Sequence, residues 1–118
     1  MSYRIELGRR GEALAADYLL DHGHRVLDRN WRCDLGELDL VTAIDHWIVA
    51  VEVKTRSSTA AGHPFEAVDA RKLARLHRLG TRWCADHGVS VGRLRIDVVG
   101  VLLPKLGASV VEHLGGVR

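Results

Sequence analysis

Long apolar runs are missing from this sequence. No stretch of its 118 residues approaches the roughly 18–20 apolar positions that a membrane-crossing helix needs, so no membrane role is expected. Cysteine is scarce as well: the two present, Cys33 and Cys84, lie far apart and form no CxxC pair. A disulfide framework is excluded on that count, and free thiols are expected. Seven histidines are scattered along the chain, and although His22 and His24 flank a glycine, no Cys/His set falls at zinc-finger spacing. Zinc held by His and Cys is therefore not expected. Proline occurs twice, at Pro64 and Pro104, with no Pro/Ser-rich linker, repeat or low-complexity tract; a single domain is expected over residues 1–118. Charge of one sign is not in excess either, since 17 Lys and Arg stand against 15 Asp and Glu for a net +2. That balance permits nucleic-acid binding without arguing for it, because a local patch counts for more than the total. The opening, Met1 to Arg10, mixes charges and holds no apolar signal core, which makes the cytoplasm the expected location.

What is present reads as an ordinary globular α/β chain, 47% apolar and 27% charged. A chain this long buries roughly two-thirds of its unfolded surface and needs no staple. A helical stripe runs from about Gly8 to Leu20, with Ala15, Ala16, Leu19 and Leu20 at its centre and Leu14 and Tyr18 widening it. Asp21–Gly23 ends it with a glycine stop. A strand holding Val26 and Leu27 is expected next, then a turn-rich connection over Asn30–Asp34. Two strongly strand-like runs follow, Glu37–Ile44 and Trp47–Thr55, joined through Asp45-His46 as a hairpin. Beyond a polar loop over Arg56–Pro64, a long helix runs to His87. Asp69 is its N-cap, Leu73, Leu76, Leu79 and Trp83 its apolar face, and Gly88 its stop. Strands over Arg93–Leu103 and Ala108–His113 close the chain. The order is αβββαββ around one mixed sheet.

The hairpin carries the chemistry. Side chains alternate along a strand, so Glu52 and Lys54 share one face, as do Glu37 and Asp39 opposite Leu38 and Leu40. A two-residue loop pairs Ile44 with Trp47 and then sets Asp39 across from Glu52, and Glu37 across from Lys54; an odd loop would turn one apolar set to the wrong face. Two carboxylates with Cβ atoms roughly 5 Å apart destabilise a sheet unless something neutralises them. Mg²⁺ or Mn²⁺ does so, as a hard cation that takes carboxylate and phosphate oxygens. Lys54 is placed to orient an attacking water and to stabilise charge on phosphorus. Ile48 and Ala50 precede Glu52 and Lys54 on the same face, so the charges emerge from an apolar surface. Glu12 falls on the stripe that should face the sheet, where a carboxylate needs a cation or a solvated cleft. A glutamate near a helix start is also what the helix dipole favours, and both readings stand at this point.

These residues carry a family likeness. Glu12, Gly36–Val41 (GELDLV) and Val51–Ser58 (VEVKTRSS) resemble the PD-(D/E)xK nuclease superfamily. More closely, they resemble the YraN-type family of small bacterial proteins, which is similar to archaeal Holliday-junction resolvases. The likeness spans nearly the whole chain, including Asn30-Trp31-Arg32, Lys72 and Ile96-Asp97-Val98, and departs from the superfamily pattern at Leu38, where proline would stand. It implies a restriction-endonuclease-like fold, Mg²⁺ or Mn²⁺ dependence, branched or structured DNA as substrate, and a homodimer as in related resolvases. By position it makes Asp39 and Glu52 metal ligands, Lys54 the catalytic lysine and Glu12 the helix-borne acid.

Further contacts to DNA are expected from the long helix, where Arg71, Arg75, Arg78 and Arg82 recur at spacings of four, three and four beside Lys72. The same stripe is also what a solvated helix face looks like. Arg56 and Ser58, in the loop after the hairpin, are candidate phosphate contacts. Asp97, in an apolar strand, is read as a satisfied structural carboxylate, and Trp31, Trp47 and Trp83 as packing residues. The expected function is a metal-dependent DNA endonuclease. The rival is a non-catalytic nucleic-acid-binding or scaffold domain on the same fold, which would have no need to keep the acid-acid-lysine set complete.

Overall fold

The computed structural model describes residues 2–118; Met1, part of the charged opening segment, lies outside the described residues. Ser2 starts the first helix, its hydroxyl accepting from Ile5 N at 3.2 Å. This cap lets α1 span Tyr3–Asp21, five residues earlier than the apolar stripe indicated, because capping and not periodicity sets the start. Gly11, Ala15, Ala16 and Leu19 are buried, whereas Leu20, expected on the stripe, is half exposed. His22 and Gly23 (φ +90°) end the helix as its DHG stop requires.

Strand β1 runs Arg25–Cys33, β2 Gly36–Ile44 and β3 Trp47–Arg56. The expected turn over Asn30–Asp34 is therefore mostly strand; the reversal is confined to Asp34-Leu35, between the paired residues Cys33 and Gly36. The turn signal there came from Asn30, which adopts the left-handed conformation (φ 50°) inside the strand. A short 3₁₀ turn over Pro64–Ala67 precedes α2, Ala70–Asp86, whose N-cap Asp69 accepts from Lys72 N at 2.9 Å. A second 3₁₀ turn, Val91–Arg93, leads into β4, Leu94–Leu102, and β5 is Val110–Leu114.

The sheet order is β1-β2-β3-β4-β5, antiparallel except for the parallel β3–β4 pair, which α2 bridges as a crossover. The expected αβββαββ order and mixed sheet are what the chain forms. Alternation on β3 divides the core. Val49 and Val51 pack with Ala15, Ala16 and Leu19 of α1, while Ile48 and Ala50 pack with Leu76, Leu79 and Trp83 of α2. The helices thus cover opposite faces. No helix among the described residues is long and apolar enough to cross a membrane.

Candidate metal and phosphate site

The β2–β3 hairpin turns on Asp45-His46 with Asp45 left-handed (φ 52°), and Ile44 pairs with Trp47 as the two-residue loop demands. The ladder continues to Leu40 opposite Val51 and stops there. Asp39 and Glu52 are the next residues along each strand. The Asp39 carboxylate instead accepts from Val53 N at 2.8 Å, satisfying a donor that the ended ladder left open. Strict alternation also fails here: Leu38 joins the α2 core and Leu40 the α1 core. On the neighbouring strand, Arg29 pairs with Leu40 and Trp31 with Leu38, which brackets left-handed Asn30 against Asp39. The expectation that Leu38 and Leu40 share a face is overturned: the two side chains join opposite cores, and the change of facing falls at Asp39, opposite left-handed Asn30. So is the opposition of Glu37 and Lys54, since Glu37 lies beyond the ladder and pairs with Arg32 at 2.9 Å.

The Asp39–Glu52 convergence survives the change of facing. Asp39 is pushed up to about 8 by burial first, then by the Glu52 charge; the Val53 N–H acts against the rise, and a hydrogen bond with Glu52 and the Glu12 charge add to it. Glu52 sits on the α2 face of β3, where Lys72 Nζ lies 2.8 Å from its Oε2. Glu12 enters from the other side. Gly11 allows this, because a Cβ at that position would overlap the side chain of Thr55 on β3. The close approach brings Glu12 toward the two carboxylates. Burial, then the charges of Glu37 and Glu52, hold Glu12 above its ordinary value, and its Oε1 is buried with no hydrogen-bond partner.

A cavity of about 400 Å³ opens at the carboxyl end of β3, with Glu12, Asp39, Lys54, Arg56 and Ser58 in its wall. Arg56 Nε is likewise buried without a partner, so one cavity has in its wall an unsatisfied acceptor group and an unsatisfied donor group. Glu52 is not part of the wall. Tyr3 and Arg4, which sequence reasoning missed, complete the rim from the first turn of α1. The signal was there: with Ser2 taken as the cap, Arg4, Gly8 and Glu12 recur every four residues on one helix face.

The α2 arginines are a separate feature. Arg71, Arg75 and Arg78 line a shallow groove with Lys72 on the outer side of the helix. Arg82 is drawn out of the stripe by Asp34 at 2.9 Å and Asp86 at 3.4 Å. Lys72 alone touches both the groove and, through Glu52, the carboxylate pair.

Asp97 is the satisfied carboxylate its apolar strand suggested. Arg95 donates from Nε and Nη2 at 2.9 Å each, Gly116 N at 3.0 Å, and His113 Nε2 lies 2.7 Å away. Burial works against ionisation, but these partners outweigh it and hold Asp97 down at about 2. His24 stands close enough that His24, Asp97 and His113 resemble a ligand set. Four hydrogen bonds, however, fill the lone pairs of the carboxylate and leave none for a cation. Cys33 and Cys84 are free thiols. Trp83 is buried with its Nε1 on Asp28 at 3.0 Å, and Trp31 and Trp47 pack against the two cores.

A family model described as "Uncharacterised protein family UPF0102" matches residues 11–101. Curated relatives, each called a UPF0102 protein, align over almost their full length. The relative from Arthrobacter sp. (strain FB24) is 57% identical over 94% of both chains. The one from Beutenbergia cavernae is 54% identical over 99% of both, and the one from Nocardioides sp. is 51% identical over 94% of this chain and 90% of its own. The matched segment contains Glu12, Asp39, Glu52, Lys54 and Lys72.

Proposed function

The chain belongs to UPF0102, and for this member we propose a divalent-metal-dependent nuclease of the PD-(D/E)xK type that hydrolyses phosphodiester bonds in DNA, with branched or structured DNA as the favoured substrate. The observation that carries the reading concerns two atoms, Glu12 Oε1 and Arg56 Nε. Both atoms are buried and without partners, and both residues stand in the wall of one cavity. Leaving such groups unsatisfied costs about 1–3 kcal/mol each, more for charged groups. A carboxylate and a guanidinium in the wall of one cavity suit a metal ion together with a phosphate.

The donor set fits Mg²⁺ or Mn²⁺: three carboxylates, hard oxygen ligands, with Glu12 and Asp39 lifted above their ordinary values by burial first and then by neighbouring carboxylates. Asp39 and Glu52 would hold the ion, with Glu12 beside them. When bound, it supplies Lewis-acid polarisation of the phosphoryl oxygen and a more acidic water. Lys54 orients the attacking water and neutralises charge building on the phosphoryl oxygens. Arg56 and the Ser58 hydroxyl grip the phosphate, and Arg4 extends the positive rim. Arg71, Arg75 and Arg78 bind the backbone away from the cut, supplying affinity without sequence choice.

Incubation with flap, four-way-junction, single-stranded and duplex DNA in Mg²⁺ or Mn²⁺ tests the reading, with chelator as control. Metal-dependent cleavage that chelation abolishes supports it. DNA binding without cleavage of any substrate refutes it and leaves a binding domain on the same fold.

A further inference from the structure

We propose that Lys72 is the resident counter-ion of the carboxylate pair, a built-in competitor that a divalent cation must displace from Glu52. The inference rests on the metal-centre reading and adds to it a residue that acts on metal entry. The Glu52 side chain is only 12% exposed and lies against a second carboxylate, Asp39. A carboxylate so placed needs a cation near it. Lys54 sits two positions away on the same strand, yet it makes no ion pair among the described residues. The ammonium that reaches Glu52 comes from another element, with Lys72 Nζ at 2.8 Å from Oε2.

The placement of Lys72 is specific. Its backbone N–H is held by the N-cap carboxylate of Asp69 at 2.9 Å, so the root of the side chain is fixed at the first turn of α2. From there the stem lies between the arginine-lined groove and Glu52, and the side chain keeps 30% exposure. An ammonium 2.8 Å from Oε2 occupies one of the two oxygens and repels a divalent ion that approaches the same carboxylate, so the ion binds more tightly once the ammonium has left. The groove gives the displaced group somewhere to go: a backbone phosphate held by Arg71 and Arg75 is a partner of the sign it has lost. Lys72 is thus a positioning residue and not a ligand.

Calorimetric titration of Mn²⁺ into the metal-free protein reads the competition without any cleavage assay. Lys72→Met should bind Mn²⁺ about two- to fivefold more tightly than wild type, the scale of a partly exposed ion pair. Lys72→Arg, which keeps a cation in place, should stay near wild type. Arg75→Gln removes a charge from the same helix face away from Glu52, and should tighten binding less than Lys72→Met does. Lys72→Gln carries the same comparison if the methionine variant fails to fold. Unchanged or weaker Mn²⁺ binding in a folded Lys72→Met protein overturns the proposal and leaves the metal centre standing. Absence of Mn²⁺ binding in both wild type and variant removes the metal centre and this proposal together.

Discussion

Replacing Asp39 with asparagine should stabilise the metal-free protein as pH rises, and the size of the effect follows from the geometry. Asparagine keeps an oxygen to accept from Val53 N, a bond of 2.8 Å in the wild type, and it has no proton to lose as pH rises. In the unfolded chain Asp39 ionises near its ordinary value of 3.8, whereas in the folded protein burial and Glu52 push it up to about 8. Between pH 5 and 7 the native state therefore binds one proton more than the unfolded state, and wild-type stability falls as pH rises. Each unit costs about 1.4 kcal/mol, so this term removes roughly 2.7 kcal/mol over the two units. His24, lowered by burial, gives the opposite slope, but it does so in both proteins and cancels in the difference. Urea unfolding of wild type and Asp39→Asn at pH 5, 6 and 7 measures that difference directly. Metal supplies the second half of the test. At ten times its dissociation constant, an ion that binds only the folded state adds about 1.4 kcal/mol, on the order of 5 °C in melting temperature. Wild type should show that shift in Mg²⁺ or Mn²⁺, and Asp39→Asn should lose most of it. A stability difference flat in pH, a variant crippled at pH 5, or a full metal shift in the variant would each refute the reasoning.

Other perturbations probe separate parts of the site. Lys54→Ala should lower metal-dependent cleavage about 10²- to 10³-fold, the usual loss when a group that stabilises developing charge is removed. Its Mn²⁺ affinity by calorimetry should stay close to wild type, and wild-type cleavage rates would remove Lys54 from the mechanism. The double variant Arg75→Gln, Arg78→Gln should weaken binding across DNA sequences and flatten the slope of log affinity against log salt by about one to two units. An unchanged slope would make the stripe a solvated face only. Gly11→Ala should cost about 1–3 kcal/mol by thermal unfolding, because the added methyl meets Thr55. It should also weaken Mn²⁺ binding by moving Glu12 off the sheet; a variant as stable as wild type contradicts the close packing of α1 on β3.

Element order and the hairpin register were legible in the sequence because each rested on strong local physics. Period-two alternation and a two-residue loop admit one register, and Ile44 opposite Trp47 is that register. The buried side of α1 was equally readable from Ala15, Ala16 and Leu19, whereas Glu12 stood open between an inward acid and a helix-start glutamate. The misreadings occur where one residue departs from the local rule. Asn30 looked like a turn and is a left-handed strand residue, and the facing of Leu38 against Leu40 changes at the level opposite it. Arg82 matched the spacing of the basic stripe, yet Asp34, 48 residues away in sequence, claims it, and spacing along one helix carries no trace of such a partner. Lys72 stood beside that stripe as a candidate DNA contact, while its ammonium reaches Glu52 on β3. Asp39, Glu52 and Lys54 were singled out by residue type and strand alternation, and Glu12 by its place on the helical stripe and by the family likeness. The ion pair to Glu52 and the rim residues Tyr3 and Arg4 needed three dimensions.

The change of facing at Asp39, opposite Asn30, makes the carboxylate pair hard to transplant. Gly36–Arg56, lifted out as a two-stranded mimic, would contain Asp39, Glu52 and Lys54 and would look sufficient as a minimal metal-binding peptide. Without β1, however, nothing would hold the left-handed residue against Asp39, and β2 would be free to relax to plain alternation on a hairpin that is barely stable alone. The portable unit is three strands wide. A graft of this centre onto another scaffold would have to carry Asn30 along, because it stands opposite Asp39 at the level where β2 changes its facing.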